Sequence, residues 1–356
     1  MSLKVAIIGP PLAFLFGGQE VQADALHTRW QNDAEVTATF LASRPALPKP
    51  LAAINRVPGL RTVVRFPFYL VNLFRTIGGV ELVHAFAGSF GTFLVATAPI
   101  FAVARLRGRK ILVHYHSGQG KEHLEGSPLA RYILRACDAV VVPSECLAAS
   151  FLPQRVSSMV VPNVVDPDRF PYRPREPLQP RLLCTRNFDA RYGLDIVVRA
   201  FAKVQREFPE ASLCLAGTGP QAPEIRGLVE ELALNHVHFM GAVHPHDMPA
   251  IYNQSDIFVN GSHIDCAPVS ILEAFCSGLP VVTTAVGGIP YLVEHERTGL
   301  LCPPGSPLAL AESVIHLIRH PYLVRPMTDK ALKQINAHSW SSLRPLWLRA
   351  YRAALG

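Results

Sequence analysis

Residues 255–300 read SDIFVNGSHIDCAPVSILEAFCSGLPVVTTAVGGIPYLVEHERTGL, and this stretch decides the predicted fold. Residues 257–260 and 281–283 are short apolar runs, which are typical of strands buried on both faces. Between them, Pro268 suits the first position of a helix, where its missing N–H needs no partner, and Gly278 suits a left-handed helix stop. A second helix follows the second strand. This order predicts parallel strands joined by right-handed crossovers.

Two carboxylates lie within this unit, and their spacing suggests a ligand site. Asp265 is on the loop before the first helix, and Glu273 follows eight positions later. Given about 1.5 Å of rise per helical residue, the two groups should be on the order of 10 Å apart, too far to share a proton. That separation is at or beyond the upper end for an inverting glycosidase pair. Two hydroxyl-binding groups at the ends of one extended ligand are the better interpretation.

The backbone between the two carboxylates includes Cys266, Ala267, Pro268 and Val269. Helix N-termini bind anions through their free N–H groups and through the helix dipole. A carboxylate, an anion-binding helix end and a second carboxylate would suit the sugar, diphosphate and ribose of one ligand. On spacing alone, a loop aspartate and an exposed helix glutamate without any ligand fit equally well.

The stretch 265–282, DCAPVSILEAFCSGLPVV, resembles the donor-site signature of family 4 glycosyltransferases, which are retaining enzymes with the GT-B fold. The usual signature has two glutamates eight apart, the second in an EA-x-A-x-G-x-PVV context. Glu273 and residues 278–282 match it closely, and Asp265 stands where the first glutamate is usual. The resemblance implies an α/β protein with two doubly wound, Rossmann-like domains that face a central cleft.

The resemblance also implies two arginines in the donor site. Arg186 follows a predicted strand, where the family has an arginine that grips the diphosphate. Arg191 stands five positions later, where the family usually has a lysine directly before a glycine, but here Tyr192 separates it from Gly193. Arg186 is therefore the firmer assignment. A bidentate contact between guanidinium and phosphate typically contributes about 1.5–3 kcal/mol.

Four glycines and a histidine complete the predicted site. Gly17 and Gly18 lie between a strand and a helix, where glycine lets a backbone approach a ligand closely; in the family such a loop reaches the donor diphosphate. Gly217 and Gly219 resemble the G-x-G-P turn that lines the family's donor cleft. His116 ends a predicted strand, and the resemblance implies a position near the transferred sugar. A plain core histidine fits His116 equally well.

The chain has 356 residues, which is long enough for two domains of ordinary size. A proline-rich run over 171–180 marks the expected boundary, and the resemblance implies that the last helix crosses back to the first domain. The predicted segments are an N-terminal acceptor-side domain over 1–165, a linker over 166–180, a C-terminal nucleotide-sugar-binding domain over 181–338 and a returning helix over 339–356.

Asp166 and Asp168 form a D-x-D motif, which holds a metal in other glycosyltransferases. The surrounding segment instead resembles the PNGVD-x-x-x-F linker of family 4, so Asn163 and Asp166 are interpreted as turn formers. His114 and His116 share a face of a strand, but zinc would need a third ligand at a sensible spacing. We therefore expect no metal and no cofactor. The expected donor substrate is a UDP-, GDP- or ADP-linked sugar.

Charge is distributed unevenly along the chain. Residues 1–165 carry 16 Lys and Arg against 9 Asp and Glu, whereas residues 166–356 carry 18 against 18. All of the formal net charge of +7 therefore lies in the first half. This asymmetry indicates an anionic partner such as a membrane surface, an anionic acceptor or nucleic acid, and a solvated basic face without a partner is the alternative.

The apolar stretch 90–104 is short of the about 20 residues that span a bilayer, so we interpret it as a buried helix. Four cations follow it closely, namely Arg105, Arg107, Arg109 and Lys110. Residues 43–67 are rich in proline and arginine and are predicted to be irregular, and an apolar helix over 68–77 could face a membrane. We expect a glycan or lipid-linked acceptor, and an anionic membrane surface is a candidate partner of the N-terminal domain.

The seven cysteines are odd in number and include no C-x-x-C pair, which is typical of reduced core residues in a reducing compartment. The first residues lead into a short apolar run that Pro10 and Pro11 interrupt, so no secretory signal is expected. The predicted location is the cytoplasm, either free or peripheral on the inner face of the membrane.

The predicted function is transfer of a sugar, of the hexosyltransferase type, from a nucleotide-sugar to an acceptor hydroxyl with retention of configuration. Cell-surface polysaccharide or glycolipid synthesis is the expected setting. A nucleotide-sugar epimerase of the same fold is one alternative, and it would act without an acceptor. A basic nucleic-acid-binding protein is another, but the sequence has no recognisable binding module, and no nucleic acid is expected as a partner. An inactive sugar-binding relative is a third.

Overall fold

A computed structural model describes residues 2–12, 17–47 and 59–356 of the chain. Those residues form two six-stranded parallel sheets, and each sheet carries an apolar core on both of its faces. The strands of the first sheet are β1 Leu3–Gly9, β2 Val36–Ala42, β3 Leu82–Ala87, β4 Lys110–Tyr115, β5 Ala139–Val142 and β6 Met159–Val160. Those of the second are β7 Arg181–Cys184, β8 Ser212–Ala216, β9 Val237–Gly241, β10 Ile257–Asn260, β11 Val281–Thr284 and β12 Leu300–Cys302.

Helices connect these strands, and within the described residues no helix combines the length and apolarity needed to cross a bilayer. The helices of the first half are α1 Gly18–Trp30, α2 Leu60–Gly78, α3 Phe90–Thr92, α4 Ala98–Leu106, α5 Gly120–Gly126, α6 Pro128–Ala136 and α7 Glu145–Phe151, with a π-helical turn Phe93–Thr97 between α3 and α4. Those that follow are α8 Leu194–Glu207, α9 Ala222–Glu231, α10 Met248–Gln254, α11 Val269–Ser277, α12 Ile289–Leu292, α13 Pro307–Arg319, α14 Val324–Gln334 and α15 Trp340–Leu355.

Both sheets are doubly wound, as the sequence predicts. The first has the strand order β2-β1-β3-β4-β5-β6, and the second has the order β12-β11-β10-β7-β8-β9. The order reverses between β1 and β3 in the first sheet and between β7 and β10 in the second. Ligands of such sheets bind beyond the carboxyl ends of the strands at the reversal. A site is therefore expected at the loops that follow β1, β7 and β10.

The stretch 255–300 folds in the predicted order of strand, helix, strand and short helix. Pro268 lies one position earlier than expected, because it caps α11 in an extended conformation and Val269 is the first helical residue. Gly278 ends α11 with φ of +75°, and a Cβ there would lie 2.7 Å from the Arg173 carbonyl oxygen. Only glycine fits this left-handed position without strain.

The start of α2 corrects one prediction. Residues 60–67 are helical rather than irregular, and Pro67 lies inside the helix, where it removes a single backbone hydrogen bond. Tyr69, Leu73 and Ile77 are buried on the inner face of α2, and this packing outweighs the weak local preference for helix. Residues 48–58 of the region predicted to be irregular lie outside the described residues.

Helix α15 packs against the first sheet, although it follows the second sheet in the chain. Trp347 and Tyr351 are buried in the same apolar core as Val5 and Ile7 of β1. On the rim of this core, Arg344 makes ion pairs with Asp33 at 2.6 Å and with Glu35 at 3.0 Å. The N-terminal half therefore contains a structural element from the far end of the described chain.

The chain passes between the two halves twice, and the two crossings are hydrogen-bonded to each other. The Val165 N–H donates to the His338 carbonyl at 3.1 Å, and His338 Nδ1–H donates to the Asn163 carbonyl at 3.0 Å. On the first half, the Gln22 side chain makes two bonds to the backbone of Val164, both of 2.8 Å. One compact junction thus connects the halves beside the carboxyl edges of both sheets.

Candidate functional site

A pocket at the carboxyl ends of β7 and β8 lies where the second sheet reverses its strand order. The pocket is open to solvent, and the space between its walls is about 810 Å³ when the solvent-filled opening is included. Its walls come from the loops after β7, β8 and β9, from the first turns of α11 and, on the opposite side, from the start of α1.

Gly17 and Gly18 form the wall that the first half contributes. A Cβ on Gly18 would lie 3.9 Å from Cγ2 of Val269, and one on Gly17 would lie 3.7 Å from Nδ2 of Asn187. These glycines therefore bring the backbone at the start of α1 across the cleft to the second half. The glycine pair predicted from the sequence reaches the same pocket as α11.

Arg186 lies on the floor of the pocket, directly after β7. Its Nε donates to Oδ1 of Asn260 at 3.1 Å, and its Nη2 makes an ion pair with the Asp265 carboxylate. The guanidinium carbon lies 5.0 Å from the centre of the Tyr192 ring, within range of a cation–π contact. The side chains of Arg186 and Asp265 are only 11% and 10% exposed. A rigid, partly buried cation is thus presented to the pocket.

Glu273 lies at the opposite end of the pocket wall formed by α11. Its Oε2 accepts a hydrogen bond of 2.8 Å from the hydroxyl of Tyr252, which is fully buried. Burial raises the pKa of the Glu273 carboxyl to about 7, and the Tyr252 hydrogen bond and the charges of Arg169 and Arg186 act in the opposite direction. Near neutral pH this carboxyl can therefore exist in both protonation states.

The N-terminus of α11 separates Asp265 from Glu273, as predicted. Pro268 has no N–H, so the donors at this helix end are the N–H groups of Val269 and Ser270, which have no partner further up the helix. Both residues line the pocket, and the Ser270 hydroxyl is buried there without a hydrogen-bond partner among the described residues. The sequence also predicts Cys266, Ala267 and Pro268 as site residues, but they do not line this pocket.

Cys266 and Ala267 support the pocket from behind. Burial, and after it the Asp265 carboxylate, raises the pKa of the Cys266 thiol to about 12, so this thiol stays protonated. The Ala267 carbonyl accepts a hydrogen bond of 2.8 Å from Nδ2 of Asn163. The loop before α11 is therefore tied to the junction between the halves.

His116 lies at the end of β4, outside the residues that line the pocket. Its ring stacks on Phe86 with a centroid distance of 5.3 Å and lies 4.0 Å from the ring of His114. Burial lowers the pKa of His116 to about 3, so it is neutral at physiological pH. The loop that follows His116 meets the Asp265 loop, since a Cβ on Gly118 would lie 2.8 Å from Ile264 Cγ2. Its assignment to the sugar site stays a prediction.

Arg191 and the predicted glycine turn occupy different surroundings. Arg191 pairs with Asp189 at 2.8 Å and does not line the pocket. Gly217 lines the pocket and has φ of +153°, and a Cβ there would lie 2.0 Å from the Arg186 carbonyl oxygen. Gly219 packs in the same way on Phe188 and lies outside the lining. These two glycines let the loop after β8 pack closely on the loop that carries Arg186. Any contact of Arg191 with a ligand stays a prediction.

The sequence does not predict three residues that contact Arg186 or Glu273, namely Tyr192, Asn260 and Tyr252. Tyr192 was interpreted only as an interruption before Gly193, yet its ring supports the Arg186 guanidinium. Asn260 is a polar residue at the carboxyl end of a buried strand, which is a usable signal for a site. Tyr252 carries no such signal, because its hydroxyl reaches Glu273 from a helix that is distant in the sequence.

Within the described parts of the chain, no group of three or more His, Cys, Asp or Glu side chains is placed to hold a metal ion. Asp166 of the D-x-D motif pairs with Arg29 at 2.7 Å instead. The interpretation of this motif as part of a linker stays a prediction.

Two family models match the chain. The one described as "Glycosyltransferase Family 4" matches residues 16–169, and the one described as "Glycosyl transferases group 1" matches residues 179–320. The GDP-mannose-dependent alpha-(1-6)-phosphatidylinositol monomannoside mannosyltransferase of Mycobacterium tuberculosis (strain ATCC 25618 / H37Rv) is 30% identical over 217 residues, or 54% of this chain and 56% of that protein. The N-acetyl-alpha-D-glucosaminyl L-malate synthase of Bacillus anthracis is 33% identical over 150 residues, or 42% and 39%. The chain thus spans about half the length, or less, of these relatives.

Solved structures resemble the chain over nearly its whole length. Anabaena Alr3699/HepE in complex with UDP-glucose superposes with a TM-score of 0.78 at 17% identity, covering 99% of this chain and 100% of that one. Sucrose-phosphate synthase from Thermosynechococcus elongatus gives a TM-score of 0.75 at 23% identity, covering 98% of each chain. At these identities the likeness concerns the fold, and it confirms the predicted GT-B arrangement.

Proposed function

The chain belongs to the glycosyltransferases described as group 1 and family 4, and on this premise we propose that it transfers a sugar from a nucleotide-sugar to an acceptor hydroxyl with retention of configuration. The observation that carries the proposal is one pocket that presents a guanidinium, a helix N-terminus and a carboxylate in sequence. These groups are Arg186, the first turn of α11 and Glu273. Together they match the charges and hydroxyls of a nucleoside diphosphate.

In this proposal the diphosphate lies against Arg186 and the N–H groups of Val269 and Ser270, with the Gly17 and Gly18 backbone closing the site from the first half. The helix dipole and the guanidinium stabilise the charge that develops on the departing diphosphate. Glu273 accepts hydrogen bonds from the ribose hydroxyls. We assign no side chain as a nucleophile.

The sugar itself is assigned to the loop that carries Asp265, facing His116 across the cleft. The Asp265 carboxylate can accept hydrogen bonds from sugar hydroxyls once it leaves Arg186, and neutral His116 has a buried Nε2 without a hydrogen-bond partner in the described part of the chain. We place the donor-binding domain over 181–338, the linker over 166–180 and the acceptor-side domain over 1–165, joined by the helix over 339–356. The contact of α15 with the first sheet supports this division.

A panel of nucleotide-sugars tests the function directly. UDP-glucose, GDP-mannose and ADP-glucose are added separately in thermal-shift measurements, since a donor at 100 times its Kd adds about 2.7 kcal/mol of stability. We expect one nucleotide class to raise Tm and Arg186→Ala to reduce this rise strongly. Product analysis with that donor alone then tests the epimerase alternative, because epimerisation needs no acceptor whereas sugar transfer does. No shift with any donor would contradict the proposal.

We also propose that the first half docks on an anionic membrane surface that presents a lipid-linked acceptor. Large apolar side chains on α2 and α4 are exposed, including Val63 at 68%, Val71 at 48% and Leu106 at 76%. The two helices pack side by side, and the Tyr69 hydroxyl of α2 donates to the Ala96 carbonyl at 3.0 Å, in the π-helical turn that precedes α4. Within the stretch 90–104, which the sequence predicts to be a buried helix, Phe90, Leu94 and Val95 are also exposed, by 47%, 57% and 40%.

The cations around this face support the same partner. Arg61, Arg75 and Arg107 are exposed on or beside it, and the Arg107 guanidinium lies 5.5 Å from the centre of the Phe74 ring. Arg105 and Lys110, by contrast, share the Asp138 carboxylate at 3.2 and 3.1 Å. The cysteines are all unpaired, which suits a reducing compartment and the inner face of a membrane.

A further inference from the structure

The Tyr252 hydroxyl lies beneath the pocket and contacts three groups at once. It is 2.8 Å from Oε2 of Glu273, 2.9 Å from Oγ1 of Thr185 and 3.1 Å from the carbonyl oxygen of Ser270. Tyr252 itself is fully buried, and its ring is held by Phe170 in an edge contact at 5.5 Å and by Phe258. The hydroxyl oxygen is therefore fixed in position, and only the direction of its O–H bond can change.

A phenolic hydroxyl has one proton to donate and lone pairs that accept. When Glu273 is ionised, Tyr252 donates to the carboxylate and accepts from Thr185. When Glu273 is protonated, the carboxyl donates to Tyr252, and the tyrosine proton turns to the Ser270 carbonyl. The same hydroxyl can thus satisfy Glu273 in both protonation states without any movement of heavy atoms.

We propose that Tyr252 is a positioning residue of the donor site: its hydroxyl holds Glu273 facing the pocket and favours the ionised carboxylate that accepts hydrogen bonds from the donor. This inference rests on the proposed function, in which Glu273 binds the ribose hydroxyls. An ionised carboxylate is an acceptor at both oxygens, whereas a protonated one must donate at one of them. The strength of donor binding should therefore follow the ionisation of Glu273.

The other groups that face Glu273 do not replace Tyr252. Arg169, from the turn Pro167–Arg169, and Arg186, after β7, act on Glu273 through charge alone and also favour the ionised form. Cys276, on α11 itself, has a pKa that burial raises to about 12 and so carries no charge near neutral pH. Burial raises the pKa of Glu273 to about 7, against the effect of the Tyr252 bond. Removal of that bond must raise the pKa further.

Calorimetric titration across a pH series tests the inference. The probe is UDP-glucose or GDP-mannose, whichever stabilises the protein, because the diphosphate of a nucleotide-sugar is a diester without the phosphate ionisation near pH 6. In the wild type, affinity should fall as pH drops through about 7. In Tyr252→Phe the midpoint should rise by about one pH unit, the equivalent of one hydrogen bond, with near wild-type affinity restored at high pH.

Rescue at high pH separates a positioning role from a structural one. An unchanged midpoint in Tyr252→Phe, or weak binding that persists at high pH, would overturn the inference. Tyr172→Phe is the matched control, since the Tyr172 hydroxyl also bonds a carboxylate, that of Asp329 at 2.7 Å, away from the pocket. It should leave the midpoint unchanged.

Two further variants keep the outcomes distinct. Glu273→Gln should bind the probe weakly and without the pH dependence. If wild-type binding does not depend on pH and Glu273→Gln binds the probe as well as the wild type does, the proposed role of Glu273 is wrong. The inference about Tyr252 is then wrong as well. If Tyr252→Phe unfolds, meta-fluorotyrosine incorporated at position 252 provides a more acidic donor. It should move the midpoint below that of the wild type, and an unchanged midpoint would contradict the inference.

Discussion

Arg186 is already paired with Asp265 in the free protein, so a donor diphosphate competes with a carboxylate for this guanidinium. We expect Arg186→Ala to weaken binding of the nucleoside diphosphate by about 1.5–3 kcal/mol, because a charge-assisted contact is lost. Binding of the nucleoside should change far less. Calorimetry with UDP, GDP and ADP and with their nucleosides measures both. An equal loss for the two ligands would indicate general damage to the fold.

Two companion variants sharpen this measurement. Asp265→Asn removes the competing carboxylate, so the nucleoside diphosphate should bind more tightly while sugar transfer slows. Arg191→Ala addresses the second predicted arginine, which is 43% exposed and bonded to Asp189. If that surface pair persists with donor bound, its loss should cost less than about 1 kcal/mol. A loss as large as that of Arg186→Ala would instead place Arg191 on the diphosphate.

We expect the ionised Glu273 carboxylate to lower the stability of the native state while it supports sugar transfer. Its pKa is raised from 4.5 to about 7 by burial, so the native state holds its proton more tightly than the unfolded state does. The free energy of unfolding of the wild type therefore falls as pH rises from about 4.5 to about 7, by up to roughly 3 kcal/mol. Glu273→Gln has no charge to bury. It should melt at a higher temperature than the wild type at pH 8, yet lose roughly 10- to 100-fold in transfer rate, equivalent to one charge-assisted contact.

Melting curves at pH 5 and pH 8, with a transfer assay at pH 8, measure both effects. Melting at pH 5 is the control for melting at pH 8. The gain in stability of Glu273→Gln over the wild type should be present at pH 8 and much smaller at pH 5. Wild-type turnover in Glu273→Gln would remove this residue from the donor site.

Among the elements, α2 carries the most direct test of membrane docking. Basic residues near anionic lipid contribute about 1 kcal/mol each, and the exposed apolar side chains of α2 add to this when they are buried in the interface. We expect the protein to float with vesicles of anionic lipid at low salt and to be released at high salt. Neutralising Arg61, Arg75 and Arg107 together should abolish flotation.

Arg105 and Lys110 provide the matched pair of cations for this experiment. Both are bonded to Asp138, so their neutralisation should weaken flotation much less than that of the three exposed arginines. Val63→Ser with Val71→Ser reduces the apolar part and should weaken binding at every salt concentration. A protein that stays at the bottom of the gradient at low salt would favour a soluble acceptor.

The elements themselves were largely predictable, for local reasons. The runs that form β10 and β11 are apolar on both faces, so the sequence predicts both strands. Gly278 has the backbone conformation that helix ends favour, so the end of α11 is predicted correctly. The start of α2 is not, because its helical state depends on packing against the sheet rather than on local preference. The proline and arginine content of this segment favours an irregular structure, whereas the buried face of α2 can be seen only in the folded chain.

Contacts between elements were less accessible from the sequence. The sequence pointed to Arg186 and Asp265 as separate ligand groups, but their mutual ion pair joins positions 79 residues apart. Tyr252 and Thr185 meet over 67 residues by a single hydroxyl contact, for which no spacing rule exists. Side-chain geometry at the carboxyl edge of a sheet is set by the whole strand order, and only the folded chain reveals it.

On the scale of the whole molecule, Asn163 links the junction between the halves to the donor loop. Its Nδ2 donates to the Ala267 carbonyl at 2.8 Å, and its own carbonyl accepts from His338. Asn163→Asp replaces this donor by a carboxylate that faces a carbonyl and adds negative charge near the diphosphate. We expect donor affinity to fall by about 1–3 kcal/mol, measured by calorimetry.

Gln22 supplies the control for that measurement. Its side chain bonds the neighbouring Val164 from the first half, on the opposite side of the junction from the bond between Asn163 and Ala267. Gln22→Met should therefore lower Tm while donor affinity stays within about 0.5 kcal/mol of the wild type, as for distant sites. Equal effects of the two variants on donor affinity would show that Asn163 acts only through the stability of the junction.

The position of α15 also bears on the order in which the protein acquires its structure on the ribosome. Nascent domains generally fold from the N-terminus as they emerge. Here the core on one face of the first sheet is incomplete without Trp347 and Tyr351, which are translated only after the entire second sheet. During that interval the groove that receives them exposes apolar side chains, including Val5 and Ile7. We therefore expect the second half to mature first, with the first half held open, in need of chaperone protection, until translation has passed residue 351.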